Sequence, residues 1–212
     1  SDHGANRLGA SALMQGLSDG YFVIPYTMQN YLSDQITVPR FSTDLPEFEE
    51  AEKGVQAEID RIYNVKGDES VDSIHKKLYH IMWEHVGMGR TKEGLETALQ
   101  ELKSLRKEFD EHIRIPGEKE GLNTELDKAI HLRDFITMGE LVAYDALNRN
   151  ESCGGHFREE SQTEDGEAKR DDENFMYVAC WKYAGTDEKA PELLKENLDY
   201  QYIKVQTRNY KS

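Results

Sequence analysis

Apolar residues recur every three or four positions through much of this chain, a spacing that predicts helices. Between residues 10 and 32 the spacing is kept by Leu13, Leu17, Tyr21, Ile24 and Met28, and Pro25 should kink or end the helix near Ile24. Gly16 and Gly20 fall four apart on one face, where another backbone can come close. Pro39 and the Ser42-Thr43-Asp44 cluster mark residues 33–45 as irregular. Pro46 suits the first turn of a new helix, with Glu47, Glu49 and Glu50 at the end where the dipole favours anions. Its stripe is Phe48, Ala51, Val55, Ile59 and Ile62, stopping near Val65-Lys66-Gly67.

Ser70 is placed to cap a second bundle helix, with Val71, Ile74, Leu78, Ile81, Met82 and Val86 as its stripe and Gly87 and Gly89 beyond its end. Thr91 caps a third, carrying Leu95, Ala98, Leu99, Leu102, Leu105, Phe109 and Ile113, with Pro116-Gly117 as the stop. Asn123 or Thr124 opens a fourth, running to about Asn148. Apolar residues from Leu126 through Phe135, Met138 and Val142 to Leu147 occupy more than one of its faces, which predicts the most buried helix, with neighbours on both sides. Short connections imply antiparallel neighbours, so residues 46–148 read as an up-and-down bundle.

The pattern changes after Asn148. Residues 149–174 are polar and contain glycine. Phe175 to Tyr183 is aromatic and β-branched and reads as a strand; Gly185-Thr186-Asp187 marks a turn, and alternation from Tyr200 to Gln206 predicts the partner strand. A two-stranded unit is marginal alone and needs a surface to pack on. The fold class expected is mostly α: an antiparallel helical bundle, a small α+β C-terminal unit and a separate N-terminal helix.

Composition narrows the function. Of 212 residues, 26 are Lys or Arg and 41 Asp or Glu, a net charge of −15. Such a surface repels a phosphate backbone, which argues against nucleic-acid binding, and disfavours docking on anionic lipid. No run of about 18 apolar residues is present to span a membrane. No secretory signal is visible, and two cysteines, Cys153 and Cys180, fit a reducing compartment. The start, without Met or a leading strand, gives the expectation of a segment cut from a longer protein.

Several residue groups invite a chemical reading and mostly take a bland one. His75, His80 and His85 are five apart, whereas a helical metal pair needs three or four. Cys153 and Cys180 have no assignable base beside them and read as structural. The acidic stretch 44–69 lacks calcium-loop spacing and reads as a solvated face. The segment Arg149-Asn150-Glu151-Ser152-Cys153-Gly154-Gly155-His156-Phe157-Arg158 is denser. Its arginines, carboxylate and histidine suit a clamp of charge-assisted hydrogen bonds, which Arg170-Asp171-Asp172 would join. The stretch from Asp2 to Leu13 is the most demanding. Gly4 and Gly9 admit close approach, Arg7 offers a planar fork for a carboxylate, and Ser11, Ala12 and Leu13 sit at a helix N-terminus whose free amides attract oxygen.

His3-Gly4-Ala5-Asn6-Arg7-Leu8-Gly9-Ala10-Ser11-Ala12-Leu13 closely resembles the motif near the end of the FAD domain in flavoprotein subunits of succinate dehydrogenase and fumarate reductase. Arg149, Glu151, Ser152, Gly154, His156 and Arg158, followed by Arg170-Asp171-Asp172, resemble a second family block; Cys153 stands where an Arg is usual and Phe175 where a Trp is. In the first motif Ser11 and Ala12 replace the usual Asn and Ser. The resemblance implies residues 1–45 as the end of the FAD-binding domain, 46–148 as the helical bundle domain and 149–212 as a C-terminal loop and two-stranded β unit. It implies Arg7 as a substrate-carboxylate ligand, Ser11, Ala12 and Leu13 as FAD contacts, and His3 as a support for the loop.

The implied activity is interconversion of succinate and fumarate by hydride exchange with FAD. The implied partners are an iron–sulfur subunit and a membrane-anchor cytochrome b subunit. The implied location is the cytoplasmic side of the inner membrane, peripheral through those partners. No GxGxxG, no segment carrying a flavin-attaching His and no capping domain with a proton-delivering Arg appears in these residues. The expectation is therefore a segment with no catalytic residue of its own, inactive alone. L-aspartate oxidase and the adenylylsulfate reductase flavoprotein share the fold. A stand-alone helical interaction module is the reading from another class.

Overall fold

The computed structural model describes residues 11–184, 189–202 and 204–206; Arg7 and the rest of the opening motif before Ser11 lie outside the described residues. Contacts divide the chain into one unit of residues 1–71 with 110–130 and a second of 72–109 with 131–212.

In the first unit, α1 (Ser11–Ser18) and α2 (Ile24–Leu32) are joined by a π-helical turn, Asp19–Val23. The sequence predicts a kink or stop at Pro25; the chain instead widens one turn, and the Ile24 amide donates to the Asp19 carbonyl. Proline has no N–H for the carbonyl four residues back and its ring crowds that carbonyl, so a π turn just before it removes the conflict without ending the helix. A Cβ on Gly16 or Gly20 would meet nothing within 4 Å, so among the described residues no backbone comes close there.

Helix α3 (Pro46–Asn64) starts and stops where its signals predict. Its stripe is exposed at Phe48 and Val55 and is buried only in the last turn, at Ile62. There Arg61 pairs with Asp110 at 2.9 Å, Lys119 with Asp60 at 2.5 Å, and the Tyr63 hydroxyl donates to the Gly117 carbonyl. Strand β1 (Glu69–Ser70) pairs in parallel with β2 (Ile113–Arg114). The sequence predicts Ile113 inside the third bundle helix; it is instead the first residue of β2, and it is fully buried.

The second unit holds the packed helices: most of α4 (Val71–Val86) and α5 (Lys92–His112), and the C-terminal part of α6 (Thr124–Asn148). Lys77 near the start of α4 pairs with Glu108 near the end of α5, and Arg106 of α5 pairs with Glu140 of α6 at 2.5 Å, so neighbours run antiparallel. Gly139 brings α6 close to α4: a Cβ there would sit 3.1 Å from the Met82 sulfur. Ile74, Leu95, Ala98, Leu102 and Ile136 are at most 1% exposed and form the core. Each such large aliphatic side chain stabilises the fold by about 1.5–3 kcal/mol.

Helix α6 buries more residues than α4 or α5, as its pattern predicts, but among the described residues it lacks the cover predicted for a second face. It buries Leu132, Ile136, Ala143 and Ala146 on one face, while Phe135, Met138 and Val142 on another are exposed. Tyr79 and Trp83 of α4 are exposed too, and stack on each other with ring centres 6.0 Å apart.

The C-terminal part holds a one-turn helix α7 (Asp172–Phe175) and a hairpin of β3 (Tyr177–Lys182) with β4 (Glu192–Asn197), antiparallel, Trp181 opposite Leu193. The predicted partner strand at Tyr200–Gln206 is thus replaced by a nearer segment. Closing the shorter loop costs less entropy, and Lys182 opposite Glu192 adds an ion pair at 3.6 Å. The Leu-Leu-Lys-Glu run in β4 reads as helix by composition, which hid it.

Candidate functional site

The sequence singles out the opening motif and the segment from Arg149 to Arg158. Of the first, Arg7 and His3 lie outside the described residues, Ser11 opens α1, Ala12 is half-buried and Leu13 is 71% exposed. Ser11, Ala12 and Leu13 are the first described residues of helix α1.

The second segment is built in detail, and it works on helix ends. Arg158 is 2% exposed and donates through Nη1 to the carbonyls of Ala146 and Leu147, at 3.0 and 3.3 Å. Those belong to the last turn of α6, where a cation also meets the negative end of the helix dipole. Its Nε donates to Glu160, and the other oxygen of Glu160 accepts from the Lys92 amide at the start of α5. The Thr91 hydroxyl oxygen takes the Gly94 amide of the same first turn. Arg90 donates through Nε to Val86 and Gly87 carbonyls at the end of α4, 3.1 Å each. One end of each packed helix is thus satisfied by a side chain from Arg90 or from the 158–160 stretch.

Inner hydrogen bonds hold those groups in place. Ser152 is fully buried; its hydroxyl donates to the Arg158 carbonyl and accepts from the Arg158 amide. Glu151, 3% exposed, takes Arg149 at 2.9 Å with one oxygen and the Asp171 amide with the other, which joins Arg170-Asp171-Asp172 to the network. Arg149 also donates to the carbonyls of Phe175 and Tyr177 and lies over the Tyr177 ring, 4.9 Å from its centre. Cys153 and His156 exchange both backbone bonds around a two-residue turn in which Gly154 has φ +61°. That left-handed φ favours glycine. The hairpin is tied to α6 by Trp181, which donates to Asp145, and by Asn148, which donates to the Tyr177 hydroxyl. Breaking a buried charged network of this kind costs about 3–5 kcal/mol.

The histidine ring at position 156 bridges Arg149 and Arg90, with Nε2 2.6 Å from the Arg149 carbonyl and Nδ1 2.8 Å from Arg90 Nη1. Burial, and then the positive charges of Arg90 and Arg158, hold its pKa below the ordinary histidine range. Partial burial, and then the Glu151 carboxylate, push the Cys153 thiol up, away from a reactive thiolate. Sequence reasoning missed Arg90 and Glu160. Arg90 carried a signal, a basic residue directly after a helix-ending Gly-Met-Gly. Glu160 carried none, because it caps a helix that begins 68 residues earlier.

The other candidates stay apart. His75 lies beside the Phe135 ring, His80 beside Tyr79, and His85 is 3.7 Å from Glu101. Among the described residues no three His, Cys, Asp or Glu side chains are grouped to hold a metal, and no helix is long and apolar enough to cross a membrane. Cys153 and Cys180 are free and exposed. The described site holds hydrogen-bond partners and charge against the ends of α4, α5 and α6.

Residues 75–210 match the family model described as fumarate reductase flavoprotein C-term. The chain belongs to that family, as the C-terminal domain of a fumarate reductase/succinate dehydrogenase flavoprotein. It is 26% identical over 203 residues to the fumarate reductase flavoprotein subunit of Helicobacter pylori, covering 96% of this chain and 27% of that one. It is 26% identical over 207 residues to the succinate dehydrogenase flavoprotein subunit of Rickettsia bellii, covering 98% and 31%. The chain thus spans about three-tenths of the length of these curated relatives. Among solved structures, E. coli quinol fumarate reductase matches at a TM-score of 0.62 and 20% identity, over 81% of this chain and 28% of that one, a likeness of fold. The clamp on the helix ends falls within the part of this flavoprotein domain that the family model matches.

Proposed function

We propose that this chain is the C-terminal portion of a flavoprotein subunit that interconverts succinate and fumarate, with residues 1–45 completing the FAD-binding domain. Residues 46–148 are its helical bundle domain and 149–212 its C-terminal loop and β unit. The observation that carries this reading is the surface of α1, the π turn and α2. Leu13, Leu17, Tyr21, Ile24 and Met28 form a stripe along one helical run, Met14, Phe22 and Tyr26 widen it, and all of them are exposed. An exposed apolar surface of this width is a contact face, which supports a larger protein as the source of its neighbours. Family membership and the share of the relatives' length agree with this.

In that larger protein Arg7 pairs its planar fork with a substrate carboxylate and so orients the dicarboxylate. The amides of Ser11, Ala12 and Leu13, at the start of α1, suit the oxygens at the flavin end of FAD. FAD supplies the hydride chemistry, and the catalytic proton donor lies outside these residues. Electrons pass to an iron–sulfur subunit and a cytochrome b membrane anchor, so the chain sits peripherally on the cytoplasmic side of the inner membrane.

The test is Arg7→Ala in the FAD-loaded subunit. The expected result is a loss of succinate oxidation of about a thousandfold in kcat/KM, or roughly 4 kcal/mol of transition-state binding. Arg7→Lys restores little, because an ammonium cannot make the paired contact. Near-normal turnover in Arg7→Ala would overturn the assignment and leave a helical interaction module.

A further inference from the structure

One titratable side chain stands at the centre of the clamp. The imidazole of His156 touches both Arg90, which caps the end of α4, and Arg149, which follows α6. Arg90 can only donate, so Nδ1 must accept its Nη1–H at 2.8 Å. The ring hydrogen is then on Nε2, which donates to the Arg149 carbonyl at 2.6 Å. Neutral imidazole satisfies both contacts at once. Imidazolium does not, because its second N–H would point at a guanidinium.

We propose that His156 is a proton-operated latch: neutral, it ties the end of α4 to the end of α6, and a proton on Nδ1 releases Arg90. The consequence spreads because Arg90 is shared. The same guanidinium caps Val86 and Gly87, and its backbone pairs both ways with the clamp, its amide donating to the Phe157 carbonyl and its carbonyl accepting from the Glu159 amide. The charged groups facing the ring are Arg90 beyond α4, Arg158 in the clamp and Asp145 on α6. The two arginines oppose a proton on the ring. Asp145 favours one, but its carboxylate is engaged by the Trp181 indole N–H.

The sign follows from burial and those arginines. They hold the latched ring below the ordinary histidine range, whereas an opened ring titrates near its usual value of about 6.5. The latch is therefore closed at neutral pH and weakens as pH falls below that value. Each unit separating the two pKa values shifts the closed-to-open ratio by about tenfold.

Two measurements on the full chain test this. An imidazole nitrogen titration by NMR should show His156 as the Nε2–H tautomer, with a midpoint below the ordinary histidine value of about 6.5. Amide protection at Arg90 and Glu159, corrected for intrinsic exchange, should fall about tenfold between about pH 7.5 and about pH 5.5 in the native chain. In His156→Gln, whose amide supplies one donor and one acceptor without titrating, it should change less than about twofold. An Nδ1–H tautomer, an ordinary midpoint, or an equal acid response in His156→Gln would overturn the proposal. If His156→Gln fails to fold, the native-chain titration decides alone.

Discussion

The run from Ser11 to Leu32 and the helices α4 to α6 carry apolar residues at the same helical spacing, and only the second group buries them. Leu13, Tyr21 and Phe22 are each more than two-thirds exposed, whereas Leu95, Ala98 and Leu102 are at 0%. The difference is one of partners and ends. Helices α4 to α6 face one another across matched stripes and have their ends capped by Thr91, Arg90, Arg158 and Glu160. Helix α2 has no side-chain cap at its N-terminus, and no residue of α2 or of the π turn is buried. Helical spacing thus announces a face that needs cover. It does not say that the cover lies in the same chain.

If the clamp is what separates the two regions, its removal has the largest effect. Arg158→Ala should cost about 3 kcal/mol, read as a lowered urea midpoint, because it removes the donor from the Ala146 and Leu147 carbonyls. A loss below about 1 kcal/mol would mean that helix packing alone accounts for the contrast. A single cap is the middle case. Asn123 accepts the amides of Glu125 and Leu126 at the start of α6, and Asn123→Ala should cost about 1 kcal/mol. The smallest effect belongs to the uncovered run: Tyr21→Ser should change the stability of this chain by no more than about 0.5 kcal/mol. A cost of several times that would show that the run packs against something in this chain after all.

The packed helices were legible because their signals are local: Thr91 and Asn123 as caps, the glycines after Val86, the stripe through Leu95 to Phe109. The clamp was legible as a dense charged segment, and its membership of Arg149, Glu151, His156 and Arg158 stood. Its purpose was not legible, since the groups it serves, Lys92 and the Ala146 carbonyl, are named only by the fold. The β hairpin was half legible. Tyr177 to Lys182 read as strand from its aromatic and β-branched side chains, but its partner came from a Leu- and Glu-rich segment with the opposite propensity. The exposed second face of α6 shows the same limit as α1: its apolar residues Met138 and Val142 predicted a burial that the described residues do not give them.

The central claim is that the run from Ser11 to Leu32 finds its cover in the rest of a flavoprotein, while α4 to α6 bury their main stripes against one another. Hydrogen exchange measured on this chain alone and on the FAD-loaded subunit tests it most directly. The expected result is that amides of 11–32 exchange at near-unprotected rates in the chain alone and become protected by about a hundredfold or more in the subunit, with α5 amides protected in both. Equal protection of 11–32 in the two would contradict the account.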